Sequence, residues 1–355
     1  MQRIDLRSDT MTRPTPGMRR AMAEAEVGDE QIHEDPTVNR LIERVCELLG
    51  CEDAVFVPSA TMANQIAFAV HANGGGDELI GHRLSHPFSY EAGAPAYLAR
   101  MMLRPIDGPR GMFTSETLAA AIRPAEDHGF QRSRIVLVEN TTNLGGGVAW
   151  PIEQLRAVSQ VARSRGLAIH IDGARLMNAV VATGVAATQI AACCDSITLC
   201  FSKGLGAPVG AALAGSREFI AHAWRFKQMF GGSMRQAGII AAGALYALDH
   251  HVARLAEDHA NARRLAEGLA SIPGIRAAPE LVETNIVLFE VAPALMTPNE
   301  LIARMAEAGV DFYALPPAGP QTCRVVTHLD VTREMIAEAL SRFRAVLAAQ
   351  SGSCA

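Results

Sequence analysis

One pattern constrains this chain more than any other: short, almost wholly apolar runs alternate with segments in which apolar residues recur at helical spacing. The runs are Ala54–Val57, Glu78–Gly81, Met101–Ile106, Arg134–Glu139, Leu167–Ile171, Ser196–Phe201 and Gly210–Gly215. Helix-like segments lie between several of them: Ser115–Ile122, Ile152–Arg165 and Ala186–Ala192. A strand that is apolar on both faces needs cover on both faces, and crossover helices between parallel strands provide it. The pattern predicts an α/β fold, a mostly parallel sheet covered by helices on both faces. Polar residues close several runs, namely Ser59, Glu139-Asn140, Asp172 and Lys203. Ligands of such sheets bind beyond the carboxyl ends of the strands, so these groups are candidates for one shared site.

The flanking regions read differently. Residues 5–16 carry two prolines and are expected to be extended. Helices are expected over Met18–Glu26 and over Pro36–Leu49, where Val38, Leu41, Ile42, Val45 and Leu48 fall on one face. After about Leu248 come a long helix to Leu269, a strand Thr284–Val291, a helix Pro298–Ala308, strands Val310–Leu315 and Cys323–Thr327, and a helix Arg333–Leu347. This order predicts a smaller C-terminal α+β domain, dividing the chain into 1–248 and 249–355, with a frayed tail from Gln350 to Ala355.

With 355 residues, 49% hydrophobic and 19% charged, the chain can fill two cores and does not read as disordered. A net charge of −5 offers no basic field for nucleic acid. No apolar run approaches the ~18 residues of a membrane span. The 7 Cys are odd in number and lack CxxC spacing, which argues against a disulfide framework or a zinc ribbon. The N-terminus has no apolar signal region. These features predict a soluble cytoplasmic protein.

Only two of the 32 Lys+Arg residues are lysines, Lys203 and Lys227. Lys203 stands between a β-type run and the Gly-rich turn Gly204-Leu205-Gly206-Ala207-Pro208. An amine can lose its proton and attack a carbonyl, which a guanidinium cannot do. Lys203 is either such a nucleophile or a capping residue at a strand–turn junction. Asp172, one βαβ step earlier, is either its structural ion partner or a carboxylate of the same site. Pro58-Ser59-Ala60-Thr61-Met62-Ala63-Asn64 opens a helix, as an ordinary cap by Ser59 or Thr61 or as an anion site. A lysine for an imine, a carboxylate for a ring nitrogen and a phosphate cup are together what pyridoxal phosphate requires.

The chain resembles the low-specificity L-threonine aldolases, pyridoxal-phosphate enzymes of the aspartate-aminotransferase fold type (fold type I). The matching stretches include Asp5-Leu6-Arg7-Ser8-Asp9-Thr10, Glu34-Asp35-Pro36-Thr37-Val38-Asn39, Pro58–Asn64, Tyr90-Glu91-Ala92-Gly93, Asp172-Gly173-Ala174-Arg175, Ser202–Pro208, Met234-Arg235-Gln236-Ala237-Gly238 and Arg324-Val325-Val326-Thr327-His328. The resemblance implies that Lys203 bonds the cofactor, Asp172 pairs with its ring nitrogen, and His86 stacks on the ring. It implies that Ser59, Ala60 and Thr61 hold the phosphate, that Ser8, Arg175 and Arg324 grip the substrate carboxylate, and that Arg235 faces a neighbouring subunit's site in a homodimer or homotetramer. No metal is expected: His82 and His86 lack the glutamate of an HExxH helix, and Pro87 interrupts the segment.

Four departures bear on activity. Thr142 stands where the family has a His proposed to contact the substrate's β-hydroxyl, and Ala60 replaces a Gly of the phosphate turn. The segment Ile32-His33 lacks a Tyr common there, and Gln228, beside Lys227, replaces a Lys. The expected reaction is cleavage of L-threonine, L-allo-threonine or L-phenylserine to glycine and an aldehyde, with His86 or a water it orders as base. Thr142 as a substrate-binding residue leaves room for larger aldehydes. The alternatives are β-elimination or deamination on the same scaffold and a non-catalytic, cofactor-binding regulator.

Overall fold

The computed structural model describes residues 2–72 and 74–351. Seven strands form the large sheet: β1 (Asp53–Val57), β2 (Glu78–His82), β3 (Met102–Ile106), β4 (Ser133–Glu139), β5 (Ala168–Gly173), β6 (Ser196–Cys200) and β7 (Ala211–Gly215). Their spatial order is β1-β7-β6-β5-β4-β2-β3. Only β7 runs antiparallel to its neighbours, so the sheet is mostly parallel, as the apolar runs predict. An antiparallel return needs no crossover helix. The short connection from β6 to β7, which carries Lys203, therefore stays at the rim.

Cysteine burial follows the same logic. Among the described residues all the cysteines are free, and Cys193, Cys200 and Cys323 are buried. No helix is long and apolar enough to cross a membrane among the described residues. Of the expected frayed tail, Gln350 and Ser351 continue the helix Arg333–Ser351, and residues 352–355, Cys354 included, lie outside the described residues.

A second sheet pairs Tyr313–Ala314, Thr322–Val326, Ile286–Val291 and Ile275–Ala277 antiparallel in that order. The strand expected over Val310–Leu315 is instead two. Val310–Asp311 pairs in parallel with Ile4–Asp5, and Tyr313–Ala314 joins the second sheet. Phe312 between them is buried against Phe289 and Phe343, with ring centroids 5.7 and 5.5 Å away, and the chain bends to keep that ring in the core. Ile4 and Leu6 pack into this second core with Leu265, Phe289 and Phe343, while the large sheet has its own.

The N-terminal segment also departs from a uniformly extended chain. A 3-10 turn over Asp9–Met11 interrupts it, because Ser8 Oγ accepts the Thr10 N–H at 3.2 Å. The first α-helix begins at Pro16, two residues early, since Thr15 caps it and proline suits the first helical position, and it ends at Ala23.

Candidate active site

β4, β5 and β6 end side by side, with Glu139 opposite Asp172 and Asp172 opposite Thr198 in the ladder. The turn after β6 aims Lys203 over this edge. The Lys203 carbonyl accepts the Gly206 N–H at 2.8 Å and the Thr12 hydroxyl at 2.9 Å, which pins its backbone. Gly206 (φ 78°) and Gly210 (φ 110°) take conformations that favour glycine. At Gly210 a Cβ would fall 2.6 Å from the Phe56 ring. The half-buried amine lies near enough to act electrostatically on both Asp9 and His86.

Asp172 is buried. Its Oδ1 accepts the Ala174 N–H at 3.0 Å and its Oδ2 accepts the Asn64 amide at 2.9 Å. His86 opens a short helical turn, His86–Ser89. Its Nδ1 meets Oε1 of the buried Glu91 at 2.9 Å, and its Nε2 makes no hydrogen bond among the described residues. Burial disfavours the His86 cation, but Glu91 and Asp172 outweigh it and hold the pKa above the ordinary histidine value. In the neutral ring Nδ1–H donates to Glu91, which leaves the lone pair on Nε2. Glu139 ties this turn to the next: its two carboxyl oxygens accept the backbone N–H groups of His86 and Asn143, both at 2.5 Å. Burial first, and the Asp172 charge second, raise the Glu139 carboxyl above the usual carboxylate range.

At the other end of the rim, the helix Ala60–His71 starts directly after β1. Ser59 Oγ caps it by accepting the Met62 N–H at 3.1 Å, so the amides of Ala60 and Thr61 remain outside the helical ladder. Such an end attracts an anion.

Two arginines meet on the opposite side. Arg175 is buried and pairs through two bonds of 2.7 Å with the buried Asp9, which Asn285 supports at 3.0 Å. Burial opposes the Asp9 anion, and Arg175 nevertheless holds it well below the usual carboxylate range. Arg175 Nη1 and Arg324 Nη1 both donate to one oxygen, Asn143 Oδ1, at 3.3 and 2.9 Å. Arg324 Nη2 reaches the Arg7 carbonyl at 3.3 Å, while its buried Nε has no partner among the described residues. Burial first and Arg175 second lower the Arg324 pKa, as expected of a cation short of an anion. Ser8 is buried beside Asp9, with its hydroxyl 3.4 Å from the carboxylate.

Thr142 turns away from this centre. Its Oγ1 accepts the Val148 N–H at 3.3 Å, and a Cβ on Gly111 or Gly145 would collide with it at 2.9 or 2.6 Å. Its neighbour Asn143 faces the guanidinium pair instead. Arg235 is exposed and bonds Asp29 at 2.7 Å, meeting none of the other site residues within its own chain. Lys227 is buried, 2.7 Å from Glu30 and 4.3 Å above the Trp224 ring. Both His82 ring nitrogens are engaged, with Gly108 O at 3.0 Å and Leu84 N at 3.1 Å. Ligand atoms of His86, Glu91 and Asp172 lie within 4.8 Å of one another, yet the Asn64 NH₂ points at both carboxylates where a cation would have to sit.

Sequence reasoning gave no individual role to Asp9, Asn64, Glu91 or Asn143, and named Glu139 only as a polar strand end. Asp9, Asn64 and Glu91 lie inside the motif stretches, which was the available signal. The donor set fits pyridoxal phosphate: an amine, a buried carboxylate, an imidazole, an open helix N-terminus and, for a substrate carboxylate, an arginine with an unpartnered N–H.

Comparison with known proteins agrees. The β-eliminating lyase family matches residues 5–292. A low specificity L-threonine aldolase of Escherichia coli (strain K12) is 42% identical over 348 residues, covering 97% of this chain and 99% of that protein. A probable low-specificity L-threonine aldolase of Arabidopsis thaliana is 43% identical over 290 residues, covering 81% of this chain and 82% of that protein. The solved structure of Leishmania major threonine aldolase matches with a TM-score of 0.83 at 21% identity, over 97% of this chain and 99% of that one. The architecture is that of the fold type I enzymes, as the resemblance implied. A fold, a family profile and a relative matched along nearly its whole length agree, and the chain belongs to the low-specificity L-threonine aldolases of the β-eliminating lyase family.

Proposed function

We propose that the protein cleaves the Cα–Cβ bond of L-β-hydroxy-α-amino acids such as L-threonine, releasing glycine and an aldehyde, with pyridoxal phosphate carried on Lys203. The observation that carries this reading is the convergence of Lys203, Asp172 and His86 on one rim, beside two arginines bridged by a single amide oxygen. Bound there, pyridoxal phosphate supplies an electron sink for the pair left by the breaking bond. The protein supplies the rest. Lys203 would hold the cofactor through its amine, Asp172 would accept from the ring nitrogen, and Ser59, Ala60 and Thr61 would take the phosphate at the helix start. Arg324 Nε and the Asn143-linked guanidinium groups take the substrate carboxylate, with Asp9 keeping Arg175 oriented. The Nε2 lone pair of His86 accepts the β-hydroxyl proton as the aldehyde departs.

Glu91 sets the basicity of that imidazole. Its carboxylate raises the His86 pKa against burial, so the base is lost as pH falls through that raised value. Glu91→Gln is therefore expected to move the acid limb of the kcat/KM profile to lower pH, with about a tenfold loss at the optimum. A profile with an unmoved acid limb would assign the base elsewhere.

A substrate panel tests the reaction itself. Incubation with L-threonine, L-allo-threonine and L-phenylserine is expected to yield glycine and the matching aldehyde in equal amounts. A keto acid with ammonia would instead establish deamination or β-elimination. Thr142 carries a smaller side chain than the family histidine, so L-phenylserine is expected to be a substrate.

The same proposal extends to assembly. Arg235 and Asp29 form an exposed pair whose sequence neighbours Ile32, Met229 and Ile239 are also exposed, which suits a face shared with a second copy. We read the enzyme as a cytoplasmic homodimer or homotetramer in which Arg235 serves the neighbouring site. We also read residues 248 and 249 as the boundary between a large and a small domain, although Ile4 and Leu6 pack into the small domain's core and Leu255 into the large one's.

A further inference from the structure

His170 and Asp172 lie two apart on β5, so their side chains share one face of the sheet, and Ser196 and Thr198 do the same on β6. The register sets His170 beside Ser196 and Asp172 beside Thr198. The helix Ala60–His71 supplies Asn64 and His71 to the same hydrogen-bond network. Asn64, His170, Asp172, Ser196 and Thr198 are all buried. Buried polar groups cost stability unless each is partnered, and apolar residues would pack such a layer more cheaply.

Here every partner is present, and their chemistry orders the protons. Asn64 Nδ2 lies 2.9 Å from Asp172 Oδ2 and 3.0 Å from Glu91 Oε1, so its two hydrogens go to two carboxylates. Its Oδ1 must then accept, from Thr198 Oγ1 at 3.0 Å and from His170 Nε2 at 3.0 Å. His170 therefore carries its proton on Nε2, and its Nδ1 accepts from the Ser196 hydroxyl at 2.9 Å. Ser196 Oγ, having donated, accepts from His71 Nε2 at 2.8 Å. Burial keeps both rings neutral, with His170 pushed down to about 3 and His71 to about 4.

We propose that Asn64 is a positioning residue: with its two amide hydrogens it holds Asp172 toward the cofactor ring and Glu91 toward His86, and the chain His71–Ser196–His170 prevents its amide from turning over. The inference rests on the site reading given above. Were the amide reversed, its oxygen would face two carboxylates and its NH₂ would face Thr198 and the His170 N–H. One side chain thus couples the group that faces the cofactor nitrogen to the group that sets the basicity of His86, although it touches neither cofactor nor substrate.

Neutron diffraction from the deuterated holoenzyme reads the proton order directly. It is expected to show His170 and His71 neutral, each with its deuteron on Nε2, and both Asn64 deuterons directed at Asp172 and Glu91. A deuteron on His170 Nδ1, or a reversed Asn64 amide, would overturn the proposal. In solution, Asn64→Ala is expected to weaken pyridoxal phosphate binding by about tenfold or more and to shift the pH dependence of the cofactor's visible absorbance. Ser196→Ala, two links away, is expected to move both readouts in the same direction by about two- to fivefold. A merely structural Asn64 would lower the melting temperature and leave both readouts of the folded variant unmoved, which would also overturn the proposal. Absence of glycine from the wild-type reaction would remove the aldolase reading and leave the proton order and cofactor affinity as independent results.

Discussion

Lys203→Ala is expected to lower glycine release from L-threonine by about 10³-fold or more, and Lys203→Arg to do the same. The arginine variant is the informative one. It keeps a cation beside Asp9 and His86, whose charges respond to Lys203, and so preserves whatever the lysine does electrostatically. What it removes is an amine able to lose a proton and bond a carbonyl carbon. The backbone at this position is held through its carbonyl by Gly206 and Thr12, so neither substitution takes away a bond that holds the turn. Activity would be followed as glycine and aldehyde, and cofactor retention as the visible absorbance left after desalting. An arginine variant with more than about a tenth of wild-type activity would rule out the nucleophile and leave only a charge.

Asp9→Asn is expected to destabilise the fold by about 3–5 kcal/mol, because it strips the charge from one partner of a buried pair and leaves Arg175 uncompensated. Urea denaturation, with midpoint and slope measured for both proteins, checks this. The pH dependence carries the same sign. Arg175 depresses the folded-state pKa of Asp9, so its contribution is fully present above the ordinary aspartate value of about 4 and is lost as the pH falls below it. The wild type is expected to lose stability on acidification in that window, and Asp9→Asn to show a flatter curve there. Because Arg175 also shares Asn143 with Arg324, KM for threonine is expected to rise in the variant more than kcat falls.

The parts of the site that were legible in the sequence are those whose chemistry is unusual for their surroundings. One of only two lysines in a chain that uses arginine almost throughout, and an aspartate closing an apolar run, stand out before any contact is known. The groups that orient them do not. Asn64 meets Asp172 across 108 residues, Asp9 meets Arg175 across 166, and Arg324 meets Asn143 across 181, and no local spacing encodes those encounters. Thr142 shows the converse. Its position, where the family has a His, suggested a substrate contact, while its hydroxyl accepts the Val148 N–H and its side chain packs tightly against Gly111 and Gly145.

The fold was readable to the same depth. The large strands were visible because both faces are apolar. The Gly238–His250 helix was not read, since its alanine- and glycine-rich sequence, with buried residues such as Gly238, Ala241, Ala242, Gly243 and Ala244, carries no clear polar face. The break at Phe312 escaped for a related reason: a continuous β-type run does not say which sheet each half will join.

The pairing of Ile4–Asp5 with Val310–Asp311 has a consequence for biosynthesis. Ile4 and Asp5 cannot reach their strand partner until more than three hundred further residues have been made, and the same segment carries Asp9 to Arg175 and Asn285. A nascent chain that has completed the large sheet still lacks the strand Thr322–Val326, from which Arg324 projects. Closing so long a loop is slow and comes late. Carboxylate recognition is thereby withheld until Arg324 has been made, and a chain halted short of residue 310 would leave the strand Ile4–Asp5 unpaired and open to proteolysis.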